Sequence, residues 1–135
     1  MAFITWDNTY SVGIKDMDAQ HEKMIGIINQ LHDAMRIGQG TKELGSIIEE
    51  MVAYTQYHFS SEEKILSAQT YPGYLKQKGE HAAFVKKVNE FKTQFDEGKL
   101  SLSIEVLNFL KQWWTGHILV EDQKYSAFMN ARGIH

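Results

Sequence analysis

The chain contains no cysteine. That removes disulfides, thiolate zinc sites, iron–sulfur clusters and cysteine nucleophiles together, and leaves nitrogen and oxygen as the donors for any metal. Proline occurs once, at Pro72, so almost nothing in the chain forbids helix. No apolar run is long enough to span a bilayer. The opening MAFITWDNTY lacks a basic start followed by an apolar stretch, so no secretory signal is visible and the cytoplasm is the expected address. Positive charge is not in excess: 14 Lys and Arg against 17 Asp and Glu leave a net charge of −3. Neither a nucleic acid nor an anionic membrane surface is therefore an expected partner.

What is present is apolar and helix-patterned. Hydrophobic residues make up 43% and charged residues 23% of the 135. That composition is globular, and the length suits one domain over 1–135 with one real core. The residues through Ser11, Val12 and Gly13 lack helical periodicity and read as an extended arm. Four amphipathic stripes follow, stepping by three or four. The first is His21, Met24, Ile25, Ile28, Leu31 and Met35, with Asp16 or Asp18 as N-cap. The turn Gly38, Gln39, Gly40 ends it, and Thr41 can cap the next. The second stripe is Leu44, Ile48, Met51, Thr55, His58, Glu62 and Ile65. Pro72 marks the third start, and its stripe is Leu75 or Gln77, then His81, Phe84, Val88, Phe91 and Phe95. Ser101 or Ser103 can cap the fourth, whose stripe is Val106, Leu110, Trp113 and His117. Tyr125 to Met129 adds a short C-terminal helix. The expected fold is all-α: an antiparallel up-down-up-down four-helix bundle with an extended N-terminal arm and a short C-terminal helix.

The polar residues on these apolar stripes carry the information. His58 and Glu62 are four apart and stand one above the other. Gln77 and His81 repeat that spacing. His117 is followed by Asp122 after five residues, a step that overshoots one turn and suits a change in helix geometry. His21 stands alone on the first helix. One histidine on an apolar face is more often a hydrogen-bonded core residue; Glu62 alone could be a rim residue and Asp122 alone a helix cap. Taken together, however, they put an imidazole on each of four inner stripes and a carboxylate on two. Burying that many unpaired polar groups costs several kcal/mol, and a metal removes the cost. The register agrees: His21 lies near the start of its helix, His58 near an end, Gln77 and His81 near a start, and His117 near an end. Antiparallel helices bring those levels together. Six nitrogen and oxygen donors exceed one tetrahedral zinc; bridging carboxylates with several imidazoles suit two irons before manganese. A diiron site in a bundle core points to dioxygen, peroxide or nitric oxide chemistry.

Over essentially its whole length the chain resembles the bacterial hemerythrins. The resemblance rests on Trp6; on Ser11, Val12, Gly13 and Ile14; and on Asp18 to His21. It continues through His58, Phe59, Glu62 and Glu63, then Tyr71 to Tyr74, Glu80 and His81, and the pair His117 and Asp122. It implies two irons sharing two carboxylates, at positions matching Glu62 and Asp122, and an oxo or hydroxo bridge. One iron takes two histidines, matching His21 and His58, and keeps an open position for dioxygen. The other takes three, of which two match His81 and His117. At the third position the family has histidine and this chain has Gln77. Its amide oxygen can coordinate weakly, water can replace it, or it can only hydrogen-bond nearby. The site would then be an ordinary oxygen binder, one whose second iron is weakened, or one whose second iron is open to turnover.

Met24, Phe59, Trp113, Trp114 and Ile118 are the expected apolar lining of an oxygen pocket, or plain core. The family commonly has Trp-Leu where this chain has Trp113-Trp114. His32 is roughly 16 Å along the helix axis from His21 and too distant to join the site. His135 matches no ligand position, and Lys76, Lys78, Lys86 and Lys87 read as a solvated face. The expected function is reversible dioxygen binding by a non-heme diiron protein, for storage, transport or delivery, with a monomer expected. The alternatives are a diiron peroxidase or a dioxygen- or nitric-oxide-scavenging enzyme, or a variant with an impaired second iron.

Overall fold

A computed structural model describes the backbone of residues 3–37, 41–98 and 104–135, and the side chains of 3–37, 45–98 and 107–135. Four long helices account for most of it: α1 (Lys15–Arg36), α2 (Thr41–Ala68), α3 (Tyr74–Asp96) and α4 (Ile104–Gly116). A π-helical turn, His117–Asp122, continues α4 into α5 (Gln123–Ala131). No strand occurs among the described residues, and none of their helices is long and apolar enough to cross a membrane. The four helices form the antiparallel bundle that short connections dictate. The Gly38–Gly40 turn and the caps at Ser101 and Ser103 lie outside the described residues, as do the side chains of Thr41, Leu44 and Val106.

The stripes face inward largely as their spacing requires. Met24, Ile25, Ile28 and Leu31 of α1 are buried with Ile48 and Met51 of α2, Phe84 and Val88 of α3, and Leu107, Leu110 and Trp114 of α4. Each such side chain contributes about 1.5–3 kcal/mol by leaving water. Met35, Phe91, Phe95 and Trp113 are half-buried. One detail corrects the sequence reading and another decides between its alternatives. Leu66 rather than Ile65 is the buried residue at the end of α2. Leu75 is exposed, so Gln77 alone faces the core at the start of α3.

The start of α1 differs as well. The residue before its first turn is Ile14, which makes no side-chain cap, so neither Asp16 nor Asp18 is the N-cap. Both acids lie in the first turn, where the helix dipole favours them. Asp18 turns back to the arm: its carboxylate accepts from the Val12 amide at 2.8 Å and the Ser11 hydroxyl at 2.6 Å. The arm itself is irregular, with one 3-10 turn at Asn8–Tyr10.

The arm is strapped along α5. Gln123 donates to the Ser11 carbonyl at 2.8 Å, Ser126 to the Val12 carbonyl, and Asn130 to the Gly13 carbonyl at 3.0 Å. Val12 and Ile14 then pack with Met17, Leu66, Tyr125 and Met129 in a second, smaller core. This strap fixes α5, and with it Tyr125. Gly13 is the pivot: its φ is +69°, and a Cβ there would lie 2.7 Å from the Asn130 side-chain oxygen. Gly13→Ala is expected to lower the urea midpoint at unchanged slope, a loss of ~1–3 kcal/mol. An unchanged midpoint would show that the strap does not hold this backbone.

Candidate metal centre

Seven polar side chains from every helix of the bundle meet at one level. His21 comes from α1, His58 and Glu62 from α2, Gln77 and His81 from α3, and His117 and Asp122 from the π turn; all are at most 5% exposed. The i,i+4 spacing brings His58 and Glu62 to one point, with Nε2 and Oε2 3.5 Å apart. Asp122 needs more than an α-turn to follow His117. The π turn, which widens each turn to an i→i+5 pattern, places Asp122 Oδ1 3.1 Å from His117 Nε2. The five-residue step in the sequence is thus the mark of the local helix geometry.

The two carboxylates divide their oxygens between two groups of imidazoles. Glu62 Oε2 lies 3.3 Å from His21 Nε2 and 3.5 Å from His58 Nε2. Its other oxygen, Oε1, lies 3.1 Å from His81 Nε2. Asp122 repeats the division, with Oδ2 3.1 Å from His21 Nε2 and Oδ1 3.1 Å from His117 Nε2. His81 Nε2 and His117 Nε2 are themselves 3.2 Å apart. Two donor sets result: His21, His58 and Glu62, and His81, His117, Glu62 and Asp122, each with atoms within 4.8 Å of one another. Each can hold a metal ion, and the carboxylates can span the pair.

The hydrogen bonds around the histidines fit that use. His58 Nδ1 meets the Gln20 carbonyl oxygen at 2.7 Å, and His81 Nδ1 meets a Glu63 carboxylate oxygen at 2.9 Å. Each acceptor holds a ring proton on Nδ1, so Nε2 is the inward nitrogen that a metal would take, as a lone pair at His58 and in exchange for a proton at His81. His58 Nε2 is buried without a hydrogen-bond partner among the described residues, and Asp122 Oδ2 is buried with His21 Nε2 3.1 Å away. Lone pairs converging on carboxylate oxygens repel in a dry interior, and a cation turns that repulsion into coordination. The carboxylate–histidine arrangement of Glu63 and His81 is the usual outer support of a metal-ligating imidazole.

In the metal-free chain, protons do part of this work. Burial pushes the His21 pKa down, but Asp122 and Glu62 outweigh it and hold it up at about 10. His81 is also raised, burial again being outweighed by Glu62. Burial prevails at His58, whose pKa falls to about 4. Glu62 stays well below the usual carboxylate range despite its burial, through hydrogen bonds from His21 and His81. Asp122 is lowered too: burial and the Glu62 charge push it up, and His117 and His21 more than offset them.

Apolar side chains enclose the cluster. Met24, Phe59, Trp114 and Ile118 are buried, while Trp113 is half-buried. Phe59 stacks on the His81 ring at 3.8 Å with 1° between planes, and Trp113 stacks on His117 at 4.4 Å and 13°. Trp114 lies 5.9 Å from the His58 ring. His32 is outside the cluster, stacked on Phe3 of the arm at 4.5 Å, and His135 is exposed. Lys76 is exposed, as its spacing suggested, and pairs with Glu121 at 3.4 Å beside the π turn.

Three contributors had no role in the sequence reading. Gln20 and Glu63 were legible only as neighbours of His21 and Glu62, because their task depends on which helix each faces. Tyr125 is the third. Its buried hydroxyl donates to Glu62 Oε2 at 2.8 Å, and burial together with the Glu62 and Asp122 charges raises its pKa well above the usual value. The available signal was its position three residues after Asp122, on the same helical face.

Comparison with known proteins agrees with this arrangement. The family description "Hemerythrin HHE cation binding domain" matches residues 12–128. The bacteriohemerythrin of Stenotrophomonas maltophilia is 34% identical over 131 residues, covering 97% of this chain and 84% of that protein. That of Methylococcus capsulatus is 26% identical over 132 residues, covering 97% and 100%. A solved structure of wild-type hemerythrin superposes with a TM-score of 0.89 at 25% identity, over 93% of this chain and 97% of the other. The family match over most of the chain, with relatives alike over nearly all of it, establishes that this protein belongs to the hemerythrin family.

Proposed function

We propose that the chain binds dioxygen reversibly at two irons held by His21, His58, Glu62, His81, His117 and Asp122. The observation that carries this reading is the division of each carboxylate, one oxygen toward His21 and the other toward His81 or His117. A pair of irons supplies two electrons to dioxygen and recovers them on release. The chain's own part is positioning and exclusion. Gln20 and Glu63 fix the ring tautomers of His58 and His81, and Tyr125 holds Glu62 by one oxygen. Met24, Phe59, Trp114 and Ile118 keep water from the dry side of the cluster, which slows loss of electrons to solvent. Trp113 closes the side next to His117. Storage and delivery of dioxygen both follow from such binding. The enzymatic alternative, peroxide or nitric oxide turnover, gains support from Gln77, the amide among the imidazoles.

Three measurements test this reading. Protein loaded with iron and reduced without air should gain a visible band on adding dioxygen and lose it on removing dioxygen; an irreversible change would favour an enzyme. Glu62→Ala should abolish the paired iron site, and two coupled irons surviving in that variant would sink the bridging assignment. The third concerns protons. Metal requires neutral imidazole, and His21 holds its proton up to about pH 10. Metal uptake should therefore release protons at neutral pH, and apparent affinity should rise about tenfold per pH unit for each proton displaced. The same proton contributes fold stability that is complete below about pH 6.5, the ordinary histidine value, and lost as pH rises through about 10. Denaturant titrations of the metal-free protein should show that alkaline loss, and calorimetry in buffers of different ionisation enthalpy counts the protons. Uptake that is independent of pH contradicts the account.

A further inference from the structure

We propose that Gln77 leaves the metal position faced by His81 and His117 open to a small anion, so that the loaded protein carries two exchangeable coordination positions, one on each ion. This rests on the two-iron reading above.

The end of the Gln77 side chain stands where a ligand atom belongs. Its Nε2 lies 2.5 Å from Asp122 Oδ1, 3.1 Å from Glu62 Oε1 and 3.4 Å from His117 Nε2. Neighbouring donors around an octahedral ion, with bonds of about 2.1 Å, are about 3.0 Å apart. The amide group thus sits at a vertex of the second donor set rather than behind one.

The group at that vertex is a poor ligand. An amide nitrogen has no lone pair to give, because it is delocalised into the carbonyl. In the metal-free chain that NH₂ donates to both carboxylates, which makes it a stand-in for a cation. Coordination requires the amide to turn over and present its oxygen, and turning gives up both of those donations. The oxygen is also neutral and a weaker donor to iron than imidazole. Without it, each position keeps two imidazoles and an oxygen of Glu62, with an Asp122 oxygen 3.1 Å from one imidazole of each. The first, with His21 and His58, gains no further His, Asp or Glu donor among the described residues beyond Glu62 and the Asp122 oxygen beside His21. The second has Gln77, which is displaceable.

The second position is also the one nearer to solvent. His21 and His58 are 0% exposed, whereas His117 is 5% exposed. A surface hollow between α2 and α3, lined by Phe59, Glu63, Lys78, His81 and Lys86 among others, opens beside His81. Its two lysines suit the approach of an anion. Exchange there is simple substitution: the anion supplies a lone pair to the metal, and the amide oxygen or a water leaves.

Azide is the probe. Protein loaded with two irons per chain and oxidised to the ferric state is titrated with azide, counting equivalents by calorimetry and resolving each bound azide by its infrared stretch with terminally labelled azide. The expected result is two azides per chain in the unaltered protein and in Gln77→Ala, and one in Gln77→His, where imidazole fills the vertex. One azide in the unaltered protein and Gln77→His alike overturns the inference while leaving the iron pair standing. Uptake of two irons by Gln77→His but only one by the unaltered protein also overturns it, since the vertex then costs the ion itself. Failure of both proteins to take two irons instead removes the two-iron reading on which the inference rests.

Discussion

Two carboxylates, Glu62 and Asp122, are buried at 1% and 0% exposure in the middle of a helical bundle, and the rest of the structure answers to them. Ionised carboxylates without water are costly, by several kcal/mol each even after relaxation. Several elements contribute to offsetting that cost. α1 supplies His21, α3 supplies His81 and the Gln77 amide, the π turn supplies His117, and α5 supplies the Tyr125 hydroxyl. A proton on His21 balances part of the charge in the metal-free chain, and its elevated pKa expresses how much positive charge the site demands. The cluster therefore acts as a cross-brace as well as a site. The bundle closes around it, and the arm and α5 close around Tyr125.

Much of this was legible because helices are periodic. A step of four puts His58 over Glu62 and Gln77 next to His81, whatever the neighbours do. The alternation of start and end along successive stripes supplies the level at which antiparallel helices meet. The five-residue step from His117 to Asp122 pointed to altered helix geometry, and a π turn stands there. What escaped were features decided by contacts distant in sequence. Asp18 looked like a cap, but the arm's free amide at Val12 competes for its carboxylate and wins. Leu66 and Ile65 are adjacent, and only the second core under the arm decides which is buried. Gln20 and Glu63 acquire roles only when His58 and His81 arrive from other helices.

The family relationship and the geometry contribute different things. Membership in the hemerythrin family rests on likeness along nearly the whole chain. The particulars of this protein rest on its own side chains, Gln77 and Trp114 among them. Trp114 is wholly buried against Phe59 and His58, so its bulk thickens the apolar wall beside the first donor set. Gln77 brings a hydrogen-bond donor rather than a lone-pair donor to the second set. One side of the site is thus more tightly walled while the other is less firmly ligated.

The central claim is that Glu62 and Asp122 each span two metal ions. X-ray absorption at the iron edge of the loaded protein tests it most directly. The account predicts two irons per chain and an iron–iron scattering shell at a separation two carboxylates can span, about 3.5 Å. A single iron per chain with no such shell would contradict it, and would make the second cluster of histidines a hydrogen-bonded core rather than a metal position.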